Sequence, residues 1–168
     1  NFFKEASYRK VKSPVDVVAS TLRLTREFDG PSPKWNPIAE APSAMGQSLL
    51  DPPSVEGWHT GREWVNSGAF VNRVNFVSDR FNDPELPGIR SIIDRIARSN
   101  GYTMTSEELV DFCLEQLGLL KLSDEVRQEI VAQVAESGPV SFESHTEASG
   151  RICSVLALIA GTREYQFG

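Results

Sequence analysis

The sequence predicts an all-α protein, an irregular multi-helix bundle of roughly six to eight helices with a Pro/Gly-rich connector. Three observations carry that expectation. No stretch alternates apolar and polar residues at period two. Apolar residues recur instead at three- and four-residue spacing, and most of those runs follow a Ser or Thr with acidic residues behind it, which is helix-start chemistry. With 168 residues, 40% of them hydrophobic, the chain suits a single helical domain, 1–168, with a core of its own.

Ser13-Pro14-Val15-Asp16 is the first start signal: Ser as N-cap, Pro at the first helical position and an acid at the third. It predicts a helix over 14–27, with Val15, Val18, Ala19 and Leu22 inward and Asp29-Gly30-Pro31 as its end. Six prolines lie between Pro31 and Pro53, yet Ile38, Ala39, Ala41, Ala44 and Met45 leave room for a short helix before Gly46. Leu49-Leu50-Asp51-Pro52-Pro53 is expected to be extended, because each proline pushes the residue before it out of the α region. Gly57 supplies a turn into Trp58. Thr60-Gly61-Arg62-Glu63 fits a capping box and predicts one long helix from Gly61 to about Phe81, with Val65, Phe70, Val74 and Val77 inward and Gly68 at a close helix crossing.

The second half repeats this grammar. Pro87-Gly88 opens a helix with Ile89, Ile92, Ile93 and Ile96 inward, closed by Asn100-Gly101. Thr105-Ser106-Glu107-Glu108 caps a helix with Leu109, Phe112, Cys113 and Leu117 inward. Ser123-Asp124-Glu125 starts another, with Val126, Ile130 and Val134 inward, and Gly118 and Gly138-Pro139 stop the two. The acidic residues in these first turns favour the positive helix end and read as structural. The last helix, 146–160, is apolar almost all round from Ile152 and reads as the most buried element.

Composition excludes several functions. The net charge is −6 with basic residues scattered, so no phosphate-tracking surface for nucleic acid is expected. Cys113 and Cys153 lie in apolar runs and read as buried thiols, and whether they are close enough to pair is not written in the sequence. His59 and His145 are the only histidines, far apart and without neighbouring ligands, so no metal and no cofactor is expected. Gly-x-Ser-x-Gly elbows, phosphate loops and paired histidines are absent from the sequence, which gives no catalytic motif and leans against an enzyme. The longest apolar run, Ile152 to Ala160, is far short of the ~20 residues of a membrane span. A chain that opens on Asn1, with no methionine or signal-peptide pattern, reads as a fragment or processed product.

The stretch Met45–Arg73 is specified most tightly, with a glycine hinge, a proline pair and two tryptophans. Its candidate ligand-binding residues are Trp58, His59, Arg62, Trp64, Asn66 and Arg73. The two indoles could stack on a sugar, and the arginines and Asn66, at i, i+4 and i+11 of the expected helix, could hydrogen-bond it. The competing reading makes the tryptophans staple and core plug, with Trp58 buried against Leu49, Leu50 or Val55. In the binding reading Trp58 is half exposed and shares a concavity with Arg62 and Asn66. Phe2, Phe3, Tyr8 and Trp35 belong to segments without an evident core and are expected to form an exposed apolar patch.

Met45-Gly46-Gln47-x-Leu49, Pro52-Pro53-Ser54-Val55-x-Gly57-Trp58, Gly61-x-x-Trp64-Val65-Asn66-Ser67 and Arg73-x-Asn75-Phe76 together resemble the signature of the bacterial "domain of unknown function 1800" family. Ser13-Pro14-Val15 and the closing Arg163-Glu164-Tyr165-Gln166 resemble its flanks, while 82–150 reads as a variable helical subregion. The chain carries His59-Thr60 where members commonly have a proline or glycine after the Gly-Trp pair. The resemblance implies the C-terminal part of a longer, often exported protein, periplasmic or extracellular, whose partner is the missing N-terminal part. It brings no established activity. The function expected is that of a helical scaffold or interaction module, with a carbohydrate-binding or hydrolytic domain on the Trp58–Arg73 face as the alternative.

Overall fold

The structure, a computed structural model, describes residues 10–28, 30, 31, 33, 35–58, 60–99, 103–118 and 120–167. Its elements in chain order are α1 (Pro14–Thr25), α2 (Trp35–Ala44), a 3-10 helix (Gly61–Val65), α3 (Ser67–Phe81), α4 (Pro87–Ser99), β1 (Thr103–Met104), α5 (Ser106–Gln116), α6 (Asp124–Ala135), β2 (Val140–Ser141), α7 (His145–Ala160) and α8 (Arg163–Gln166). The all-α expectation holds. The only paired strands among the described residues are β1 and β2, antiparallel with Met104 opposite Val140. The Asn100-Gly101 helix end falls outside the described residues.

α7 is the central element. Nine of its sixteen residues are buried, among them Ile152, Leu156 and Ile159, and it packs on α3, α4, α5 and α6. Apolar side chains round most of its circumference force neighbours on several sides, since each exposed CH2 forgoes about 0.8 kcal/mol. Ile89, Ile92, Ile93 and Ile96 of α4 all point into this core, as their spacing predicts. So do Leu109 and Cys113 of α5 and Ile130 and Val134 of α6, with Phe112, Leu117 and Val126 packed at the margin.

The expected starts at Ser13, Thr105 and Ser123 are real caps. Ser13 Oγ accepts from the Asp16 N–H and Asp16 Oδ2 accepts from the Ser13 N–H at 3.0 Å; Thr105 and Glu108 repeat the arrangement. Ser123 Oγ accepts from the Val126 N–H.

Four expectations are corrected. In α1 the inward stripe is Pro14, Val17, Val18, Thr21 and Thr25, whereas Val15 and Leu22 lie at its edge and Ala19 is exposed. The threonines are tolerated inside because each hydroxyl has a partner: Thr21 Oγ1 lies 3.1 Å from Tyr165 Oη, and Thr25 donates to the Leu22 carbonyl. The long helix from Gly61 is two elements. Gly61 takes φ +64°, outside the α region, Thr60 makes no side-chain cap, and Asn66 takes over as N-cap by accepting from the Ala69 N–H at 3.0 Å. The buried face of α3 is consequently Ala69, Arg73, Phe76, Val77 and Phe81, with Phe70 and Val74 half-buried, as is Val65 in the 3-10 helix.

Gly68 is not at a helix crossing: it sits in the first turn of α3, where the nearest atom to an added Cβ is Asn66 Oδ1 at 3.8 Å. The close crossing is at Gly88, where a Cβ would stand 2.0 Å from the Leu24 carbonyl oxygen, so only hydrogen lets α4 meet the end of α1. Finally, the Leu49–Pro53 stretch is not extended throughout, for Leu50 takes φ +66° in a turn.

Candidate functional site

Residues 45–58 form a loop clipped at its neck. Met45 is buried in the core, and the Gln47 side chain accepts from the Val15 N–H, one of the donors that the start of α1 leaves unpaired. Asn72 on α3 donates to the Ala44 carbonyl. Across the neck, Trp58 donates its indole N–H to the Ser48 carbonyl at 2.9 Å. Gly57, at φ +99°, closes a turn by donating its N–H to the Ser54 carbonyl, and the Ser54 hydroxyl accepts from the Glu56 N–H. Everything from Leu49 to Glu56 is exposed. Leu50 is 96% exposed and Val55 fully so, with Leu49 at 48%; Val71, next to the anchoring Asn72, is exposed too. The loop thus holds an apolar tip on a fixed base, the build of a compact Ω-type loop.

The predicted site residues separate in this geometry. Trp58 is half-buried, with its N–H spent on Ser48, and Leu50 and Val55 project into solvent instead of sealing it. Trp64 is buried. Arg62 and Asn66 are exposed, and the Asn66 amide oxygen is engaged as the α3 cap. Arg73 is fully buried and points into the bundle, so the helix stripe expected to join Arg62, Asn66 and Arg73 does not exist. His59 lies outside the described residues, as do Phe2, Phe3 and Tyr8 of the expected patch; Trp35, its fourth member, is 42% exposed.

A buried polar knot, which periodicity did not reveal, ties both ends of the described chain to α3. Arg73 Nη2 donates to the Lys12 carbonyl at 2.6 Å, Lys12 Nζ donates to the Tyr165 carbonyl at 2.6 Å, and the Lys12 N–H donates to the Gln166 carbonyl. Gln166 in turn donates to Ala160 O, and Tyr165 packs edge-on to Phe81. Burial lowers the Lys12 pKa below its ordinary value, Asp16 opposing this and Arg73 adding to it; burial also raises that of Tyr165. Arg73 Nε and Nη1 are buried with no acceptor among the described residues. The general expectation that charge lies outside misses Arg73. The signal that could have corrected it was spacing, since Arg73 is one turn from both Ala69 and Val77.

Ser149 Oγ lies 3.3 Å from His145 Nδ1 one turn earlier on α7, but Ser149 is buried and presents no oxygen to solvent. Cys113 and Cys153 are free, not bridged. Burial raises the Cys113 thiol well above its usual range and, with Asp83 nearby, pushes Cys153 up to about 11, so neither forms a thiolate near neutrality. Among the described residues no three His, Cys, Asp or Glu side chains group to hold a metal ion, and no helix is long and apolar enough to cross a membrane.

These features define a mostly α-helical bundle whose tightly held part is a clipped apolar loop. The family model described as "Protein of unknown function (DUF1800)" matches residues 1–167, and the chain belongs to that family. Neither a curated protein nor a solved structure matches it.

Proposed function

We propose that the chain is a helical scaffold and interaction module of a larger exported protein, and that the 45–58 loop is its joint to another part of that protein. The observation that carries this reading is Leu50: a leucine at φ +66° bears the strain of the left-handed region while its side chain stands 96% exposed. That conformation costs a β-carbon-bearing residue about 1 kcal/mol or more. Glycine would serve the turn better, so the side chain is the reason for the leucine. Leu49, Leu50 and Val55, with Pro52 and Pro53 between them and Asp51 and Glu56 beside them, fit an apolar groove with a basic rim. The Trp58–Arg73 face as a carbohydrate-binding or hydrolytic site is the weaker reading, because Trp58 and Asn66 spend polar groups on the backbone and Arg73 is interior.

A photoreactive residue at Leu50 in the full-length natural gene product tests the joint. The expected product is an intramolecular cross-link to a segment outside 1–168. Cross-linking only within 1–168, or none at all, removes the proposal.

A further inference from the structure

Away from the loop, the C-terminal end of α1 and the start of α2 enclose an open hollow of about 620 Å³ lined by Phe28, Gly30, Pro31 and Trp35. Phe28 and Trp35 also line a neighbouring hollow of about 190 Å³ with Arg23 and Arg26, and the two arginines continue into a third, of about 180 Å³, together with Arg95. The shared lining makes these one cleft, aromatic at one end and cationic at the other.

The aromatic end and Arg95 are held in place. The Trp35 indole donates its N–H to Gly30 O at 3.0 Å and leans on Phe28 with centroids 4.9 Å apart at 34°. Its donor is therefore spent, and what it offers is a fixed ring face. Arg95 is pinned by bonds from Nε to Gln116 and from Nη1 to Ser91. Glu27, the acid beside Arg26, is turned onto Arg80 at 3.2 Å, so it does not neutralise the cleft. Arg26 sits at φ +48°, the other left-handed non-glycine position among the described residues besides Leu50. The αL helix end needs no arginine there, and glycine would take it without strain. A strained side chain kept at the rim of a cleft is a pointer to use.

We infer that this cleft binds a saccharide carrying carboxylate groups. A single fixed indole face suits the flat C–H face of a pyranose, and the Phe28–Trp35 wedge leaves no parallel slot in which a planar base could be sandwiched. The guanidinium groups of Arg23 and Arg26 match carboxylates in fork geometry.

Titrating the 168-residue chain with trigalacturonate, while following the three tryptophan indole N–H signals by NMR, tests the inference. The expected result is a saturable shift of the Trp35 signal with Trp58 and Trp64 still, and no shift with maltotriose or inorganic phosphate. Arg23→Gln and Arg26→Gly should each weaken binding about tenfold, the scale of one lost charge-assisted contact. Arg26→Gly should melt no lower than the parent, because glycine relieves φ +48°, so its loss of binding cannot come from unfolding. No shift up to roughly 10 mM, a weaker limit than most sugar sites, would overturn the inference. So would an equal shift with maltotriose or phosphate, a response at Trp58 in place of Trp35, or arginine variants that bind like the parent.

Discussion

In α7 and in the 45–58 loop the same chain keeps its shape by different means. α7 buries Ile152, Leu156 and Ile159 against four helices and takes its stability from area removed from water. The loop buries Met45 at one end, with Trp64 beyond the other, and is held between them by single polar contacts: Gln47 on Val15, Asn72 on Ala44 and Trp58 on Ser48. Its apolar side chains face outward. The loop spends hydrogen bonds to hold leucine and valine in solvent, whereas α7 hides its own apolar side chains.

The difference predicts opposite responses to truncation. Phe81→Ala, in the core against Tyr165, should cost about 3–5 kcal/mol in a denaturant melt. Val55→Ala should change the melt by less than about 0.5 kcal/mol. A loss at Val55 comparable with that at Phe81 would mean that the loop tip is packed after all. Glycines sharpen the contrast. Gly88→Ala drives a methyl onto the Leu24 carbonyl and should cost about 3 kcal/mol, while Gly68→Ala, in open space on α3, should stabilise by up to about 1 kcal/mol. Trp58→Ala lies between, at about 2 kcal/mol, because it forfeits one hydrogen bond and part of a half-buried ring.

The bundle was legible because its signals are redundant. Ile89, Ile92, Ile93 and Ile96 mark their face by spacing, and Ser13-Asp16 and Thr105-Glu108 mark their starts by paired chemistry. The loop and its flanks were less so, since competing local choices are decided by geometry. Thr60 and Asn66 are both acceptable caps, and Asn66 won because Gly61 turned left-handed. Leu50 precedes no proline, so nothing local held it extended. Arg73 and Thr21 lie inside for one reason that spacing does not show: a polar residue is buried when a distant partner, here Lys12 O or Tyr165 Oη, meets it. Which candidate residues of the 58–73 stretch face solvent and which turn inward depends on such partners, and spacing alone does not give them.

Smaller effects divide the caps. Ser13→Ala and Thr105→Ala should each cost about 1 kcal/mol in thermal melts, and Thr60→Ala almost nothing, since it makes no cap bond. Acid separates them as well. Burial works against ionisation of Asp16, but the bonds from Ser13 and the charges of Lys10 and Lys12 outweigh it and leave its pKa below the ordinary 3.8. Bonds from the Thr105 N–H and hydroxyl lower that of Glu108 below 4.5. Depressed carboxylate values mean that this stability is complete above the ordinary pKa and is lost as pH falls through the folded one. The melting temperature should therefore drop below about pH 4, and Ser13→Ala should flatten that drop.

The smallest change bears most directly on the central claim, that the loop presents an apolar tip to a partner. Leu50→Gly removes the left-handed strain and a side chain that is 96% exposed. In the 168-residue chain alone its thermal melt should match the parent or exceed it by about 1 kcal/mol, and in the full-length gene product the same substitution should lower the melting temperature. A lower melt in the chain alone, or none in the full-length protein, would contradict the account.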